Sequence, residues 1–170
     1  FFTMEQLSGI SLNRLLARHS PAPLDRRFAF TIIHRVGEAV AYAHSRGIVH
    51  GDLNPGSVFI TDEGEIRVLD FGAAYRMHDD PYIPDLEDLS RTAVATHCFS
   101  SCEVLQGGPA NVRDDVYAMA CLSYVLLSGK HPFRGKNALQ ARAARMSPPR
   151  PRGISRRQWR ALKGALRFDR

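Results

Sequence analysis

Long apolar runs, a cysteine framework and a charge surplus over most of the chain are all missing here, and each absence removes a class of function. The longest apolar stretch, Val116 to Leu127, is twelve residues long and contains Ser123. A membrane-spanning helix requires roughly 20, so this run reads as a buried helix and no membrane segment is expected. Three cysteines, an odd number without zinc or disulfide spacing, point to a reducing, cytoplasmic setting. Cys98 and Cys102 are close enough in sequence to pair, but they fall in a segment with another explanation. A basic-then-apolar leader is lacking: the chain opens on Phe1-Phe2-Thr3-Met4-Glu5-Gln6-Leu7, a strand-like run expected to be a cut through a larger protein.

The net charge of +6 is local. Residues 1–141 hold 13 basic and 16 acidic side chains, whereas 142–170 hold 10 basic ones against Asp169. Arg150, Arg152, Arg156, Arg157 and Arg160 carry no interleaved aromatic platform, so they read as a solvated helix face and a charged loop rather than a nucleic-acid surface. With 44% hydrophobic and 24% charged residues over 170 positions, what is present is one domain with a real core.

Periodicity places the elements. Ser11 is positioned to cap a short helix from Leu12 to Ala17, with Gly9 and Ser11 introducing it, and Ser20 to Pro23 forms a linker. Phe28, Ile32, Val36, Ala39, Val40 and Ala43 mark one face of a long helix within 24–46, closed by Gly47. The short β-prone runs Ser57 to Thr61 and Glu65 to Leu69, joined by Asp62-Glu63-Gly64, predict a hairpin. Ala73 to Ser100 is a long polar loop of the kind that carries function. Helices are expected over Arg113 to Ser128, Asn137 to Ala144 and Ser155 to Leu166.

Two aspartates flank the hairpin, Asp52 in His50-Gly51-Asp52-Leu53-Asn54-Pro55 and Asp70 in Leu69-Asp70-Phe71-Gly72. A hairpin returns its ends to one place, so both carboxylates should face one site. One carboxylate can orient a hydroxyl while the other holds magnesium against phosphate charge, which suits phosphoryl transfer. Taken singly, each could be a turn-forming aspartate.

In this order, and with Thr96, Phe99, Ser101 and Glu103 echoing an activation-segment ending ahead of Asp115-Val116-Tyr117 and Leu126 to Phe133, the chain resembles the protein-kinase superfamily, bacterial serine/threonine type. The resemblance implies an α+β, mainly helical fold: a kinase carboxy-terminal lobe, hinge at about 3–9 and lobe over 10–170, with the amino-terminal lobe largely missing. It implies ATP and magnesium as cofactors and a protein substrate. By resemblance, Asp52 is the catalytic base and Asp70 the main magnesium ligand. Backbone groups of Glu5 and Leu7, within the Met4–Leu7 hinge, meet the adenine edge, and Phe59 lies beneath the ring. Thr96 shapes the acceptor pocket, Asp115 braces the catalytic loop, and His50 and Phe71 pack internally.

The departures fall inside the site. Gly51 replaces the arginine that pairs with a phosphorylated loop. Asn54 stands where a catalytic lysine is expected, and losing a charge aimed at the transferring phosphate costs a few kcal/mol of barrier. Ser57 stands where an asparagine would ligate magnesium, and a serine hydroxyl would reach the ion through a water. Cys102 replaces a proline. No glycine-rich loop or phosphate-gripping lysine precedes Phe1, so the chain alone is expected to be inactive. A parent serine/threonine kinase and a pseudokinase that binds or scaffolds are both compatible with this pattern. A small-molecule phosphotransferase of the aminoglycoside or choline kinase type fits the loop of Asp52 but not the segment from Thr96 to Tyr117.

Overall fold

The computed structural model describes residues 5–20, 22–71, 75–76 and 97–169. Strand β1 (Gly9–Ser11) leads into α1 (Leu12–His19) and α2 (Arg26–Ser45). Four short strands follow, β2 (Ile48–Val49), β3 (Val58–Thr61), β4 (Ile66–Val68) and β5 (Tyr75–Arg76). Helices α3 (Cys102–Leu105), α4 (Val112–Ser128), α5 (Ala138–Ala143) and α6 (Arg156–Ala165) complete the chain. The strands form an antiparallel sheet in the order β1-β3-β4 and an antiparallel β2-β5 pair. Among the described residues, no helix is long and apolar enough to cross a membrane.

The helices begin where side chains can accept from their free N–H groups. The Phe28 N–H donates to the Asp25 carboxylate at 3.1 Å at the head of α2. Asn111 and Asp114 close a reciprocal capping box on α4, as Ser155 and Gln158 do on α6. Gly129, at φ 70°, ends α4 in the left-handed conformation that glycine adopts without a Cβ penalty.

Helix α4 is the axis of the core. Its Ala118, Leu122 and Leu126 pack with Ile32, Val36 and Val40 of α2 and with Leu53 and Val58 of the hairpin side. Its Tyr117, Cys121 and Tyr124 pack on the other side with Phe133, Ala138 and Leu166. A helix buried on both flanks must be apolar nearly all round, which explains the run read from the sequence as a buried helix. Among the described residues no disulfide joins the cysteines.

One element sits elsewhere than expected. Residues 1–4 lie outside the described residues, 5–8 have no regular structure, and the first strand is Gly9–Ser11. It pairs Gly9 with Thr61 and Ser11 with Phe59. The approach is close: a Cβ on Gly9 would lie 2.2 Å from the Ile60 carbonyl oxygen and 2.9 Å from the Phe59 ring. Glycine, a poor strand former by propensity, is here the residue that lets two backbones meet.

Candidate active site

The site grows out of the C-terminus of α2. Gly47, at φ 73°, turns the chain into β2, and the loop from His50 to Ser57 then crosses to β3. Two lone aspartates at the ends of a hairpin would be mobile, and three sets of bonds hold them.

The first set comes from α4. Asp115 is 1% exposed, and its carboxylate accepts the backbone N–H of His50 at 2.9 Å and of Gly51 at 3.0 Å. His44 of α2 places Nε2 2.7 Å from the same carboxylate. A buried carboxylate is tolerated when its lone pairs are filled in this way, so the brace expected of Asp115 is present, with His44 as an additional partner.

The second set joins the two motif loops. His50 is fully buried; its Nδ1 accepts the Asp52 N–H at 3.3 Å and its Nε2 lies 3.0 Å from the Leu69 carbonyl. That pattern fits the tautomer with the proton on Nε2. The Leu69 N–H donates to the Ser57 carbonyl at 2.8 Å. Leu69, the residue before Asp70, is thus tied on both sides to the loop of Asp52. The His50 and Phe71 rings meet tilted, 4.5 Å between centroids; His50 is packed internally as expected, whereas Phe71 is exposed.

The third set is internal to the loop and involves two of the departures. The Ser57 hydroxyl accepts the Asn54 N–H at 3.0 Å and donates to the Asn54 carbonyl at 2.9 Å. The Asn54 amide donates to the Asp52 carbonyl at 2.9 Å and accepts the Gly56 N–H at 2.7 Å. Both polar side chains therefore close the loop upon itself.

Asp52 is half-buried, and burial lifts its carboxyl above the ordinary carboxylate range. The charge of Asp70 pushes the same way, while Asn54, His50 and His97 pull down without cancelling the rise. Asp70 is exposed, with φ 62°, a left-handed conformation uncommon for residues with a side chain but more accessible to aspartate than to most. Glu5 is exposed and Leu7 half-buried just ahead of β1; Phe59 is half-buried on β3 beside Gly9. Met4, Gly72 and Thr96, and residues 77–91 of the loop read as an activation segment, lie outside the described residues.

Where the chain is described again, Ser101 caps α3 by accepting the Val104 N–H at 3.1 Å and donates its hydroxyl to Asp114 at 2.7 Å. Between Phe99–Ser101 and Asp52 lies a cavity of about 10 Å³, room for a single water. Asp114 and Asp115, neighbours in the first turn of α4, thus hold the segment around Ser101 and the loop of Asp52 respectively. Asp114 and His44 were not singled out from the sequence; the spacing Asn111-x-x-Asp114 was the available signal.

A family model, "Protein kinase domain", matches residues 1–163. The chain belongs to the protein kinase family. It is 30% identical over 151 residues to the serine/threonine-protein kinase PknA of Mycobacterium tuberculosis, covering 89% of this chain and 33% of that relative. It is 31% identical over 138 residues to the probable serine/threonine-protein kinase PknB of Corynebacterium glutamicum, covering 81% of this chain and 20% of the relative. A Corynebacterium efficiens protein named as the serine/threonine-protein kinases drp72 is 29% identical over 174 residues, covering 99% and 32%. The chain spans a third or less of the length of these relatives. The mainly helical fold with a small antiparallel sheet is consistent with that family.

Proposed function

We propose that the protein containing this chain is a serine/threonine protein kinase, transferring the terminal phosphate of ATP to protein hydroxyls, and that residues 10–170 are its carboxy-terminal lobe with a hinge near 3–9. The observation that carries this reading is the tethering of Asp52 and Asp70, through Leu69, His50 and Ser57, to one buried carboxylate on α4. Asp52 is the base: its carboxylate accepts the proton of the attacking hydroxyl, and a raised pKa brings it closer to the working pH of a general base. Backbone groups of Glu5 and Leu7 meet the adenine edge, and Phe59 lies under the ring.

Among the described residues no three His, Cys, Asp or Glu side chains converge as a cage for a metal. That suits magnesium, which binds through one or two carboxylates, substrate phosphates and its own waters. Asp70, exposed and held in a fixed backbone conformation, is the direct ligand, and magnesium when bound supplies charge neutralisation at the phosphates. Ser57 has its hydroxyl engaged with Asn54 and reaches such an ion only through water.

A second reading has its own observation. The Asn54 amide is neutral and folded onto its own loop, so it offers no cation to the transferring phosphate, and Ser57 is likewise occupied. Both favour a pseudokinase that retains the fold while binding nucleotide or a partner.

Labelled phosphate transfer from magnesium-ATP to a basic protein, using the full-length protein, separates the two. The expected result is incorporation that is lost in Asp52→Asn, with magnesium-dependent nucleotide binding lost in Asp70→Asn. Undiminished turnover in Asp52→Asn would overturn the base assignment; nucleotide binding without any transfer would establish the pseudokinase.

A further inference from the structure

The site has a wall on one side of Asp52. Phe99, Ser100 and Ser101 face Gly51, Asp52 and Leu53 across the water-sized cavity, so a protein hydroxyl that reaches Asp52 passes beside them. Ser101 is fixed to α4 through its bond to Asp114. The other end of this segment begins at Cys98, and Cys98 is held by the turn that follows α4.

His131 makes that attachment. Its Nδ1 accepts the N–H groups of Phe133 and Gly135, which leaves the ring proton on Nε2. Nε2 lies 3.0 Å from the Cys98 carbonyl, 33 residues away in the chain, and in this tautomer donates to it. The Cys98 thiol donates to the Gly135 carbonyl at 2.9 Å, and the Phe99 ring meets the imidazole edge-on, 5.4 Å between centroids. One nitrogen thus shapes the turn and the other holds the segment. Burial depresses the His131 pKa, so the ring is neutral at pH 7. The titratable groups packed about this junction are Cys98 and, from α4, Tyr117 and Cys121; burial raises all three, so they are neutral as well. Lys130, Arg134 and Lys136 share the turn with His131 and add only positive charge. Asp169, next to Phe168 in the same cluster, is paired with Arg142, and none of the ion pairs among the described residues involves His131. A proton arriving on Nδ1 sets a donor against two N–H donors, with no carboxylate bonded to the ring to hold the charge.

We propose that His131 is a positioning residue for the acceptor protein: through Cys98 it holds Phe99, Ser100 and Ser101 against the loop of Asp52, and protonation of its ring lets them go. The proposal rests on the kinase reading above and concerns the acceptor, not the nucleotide. His131 itself touches neither substrate.

The test uses the full-length protein, magnesium-ATP and a basic acceptor protein, with the variants His131→Asn and His131→Gln. The asparagine oxygen takes the place of Nδ1 and serves the turn but offers nothing to Cys98; the glutamine amide takes the place of Nε2 and still donates to the Cys98 carbonyl. His131→Asn should raise KM for the acceptor about fivefold, the worth of one neutral hydrogen bond, and leave KM for ATP unchanged. His131→Gln should keep the wild-type acceptor KM at pH 7 and lose the rise that wild type shows between pH 7 and pH 5.5. A merely structural role would lower the active fraction, and hence kcat, without moving either ratio. Hydrogen exchange over 98–101, corrected for its intrinsic pH dependence, should be faster in His131→Asn than in wild type at pH 7, and faster in wild type at pH 5.5 than at pH 7. Unchanged acceptor KM in His131→Asn, or equal exchange in the two proteins, would overturn the proposal. If His131→Asn fails to fold, the pH comparison decides, and parallel profiles for wild type and His131→Gln would overturn it. No transfer by wild type would remove the kinase reading and the acceptor role with it, while the exchange still reports whether His131 holds the segment.

Discussion

A carboxyl lifted above its ordinary range by burial costs the fold something whenever it is ionised, and Asp52 is such a group. Its folded pKa lies above the unfolded value near 3.8, so between the two the native state binds more protons than the unfolded chain. Stability therefore falls as pH rises through that window and stays lowered above it. Asp52→Asn removes the penalty, and we expect a higher melting temperature than wild type at pH 7, with the advantage vanishing below the unfolded pKa. Thermal melts at both pH values check this, and a lower melting temperature for the variant at pH 7 would show that burial does not dominate at this position. The same residue was legible in the sequence, as were Asp70 and Asp115, because each lies in a short motif whose order carries meaning. Asn54 and Ser57 were legible as departures, but their mutual bonds were not. Each residue type has many local partners available, and only the closed loop reveals which it takes.

Elements held by one another's backbone respond to pH through the groups at their joins, and His131 is such a group. Its Nδ1 accepts N–H groups of Phe133 and Gly135, both at 3.2 Å, and its Nε2 lies 3.0 Å from the Cys98 carbonyl. The Cys98 thiol donates to the Gly135 carbonyl at 2.9 Å, and the Phe99 ring meets the imidazole edge-on. This clamp fastens the turn after α4 to the segment before α3. Burial depresses the His131 pKa below 6.5, the Cys98 carbonyl opposing. The native state therefore binds fewer protons than the unfolded one just below that pH, and the clamp's stability, complete above 6.5, is lost as pH falls through the folded value. We expect the melting temperature to drop on acidification from pH 7 to 5 more steeply in wild type than in His131→Gln; parallel slopes would remove the clamp from the account. The five longer helices were readable to within a residue or two, because caps and apolar spacing are local signals, whereas the single turn of α3 was not. β1 was not, since Gly9 joins the sheet through a partner some fifty residues away and its own propensity argues against a strand.

For the molecule as a whole, α4 belongs to both halves of the core, so damage on one flank should be felt on the other. Leu122 faces α2 and the hairpin side and is fully buried, whereas Trp159, the single tryptophan, packs on the opposite cluster. Leu122→Ala is expected to cost about 2–5 kcal/mol and to shift the Trp159 fluorescence transition in urea by the same amount as the far-ultraviolet circular dichroism. Separate midpoints would mean two independently folding halves. The pair Asp114 and Asp115 has a consequence of another kind. Successive residues on a helix are about 100° apart in azimuth, so two adjacent side chains on one turn are aimed at different chain segments by phase alone. Inserting or deleting a residue between Asp115 and the buried Ala118 would turn both carboxylates away from their partners at once, whereas a change of length in the connection over 106–110 leaves that phase intact. A change in chain length ahead of Asn111 therefore spares the site, while one inside α4 after Asp115 disconnects both loops together.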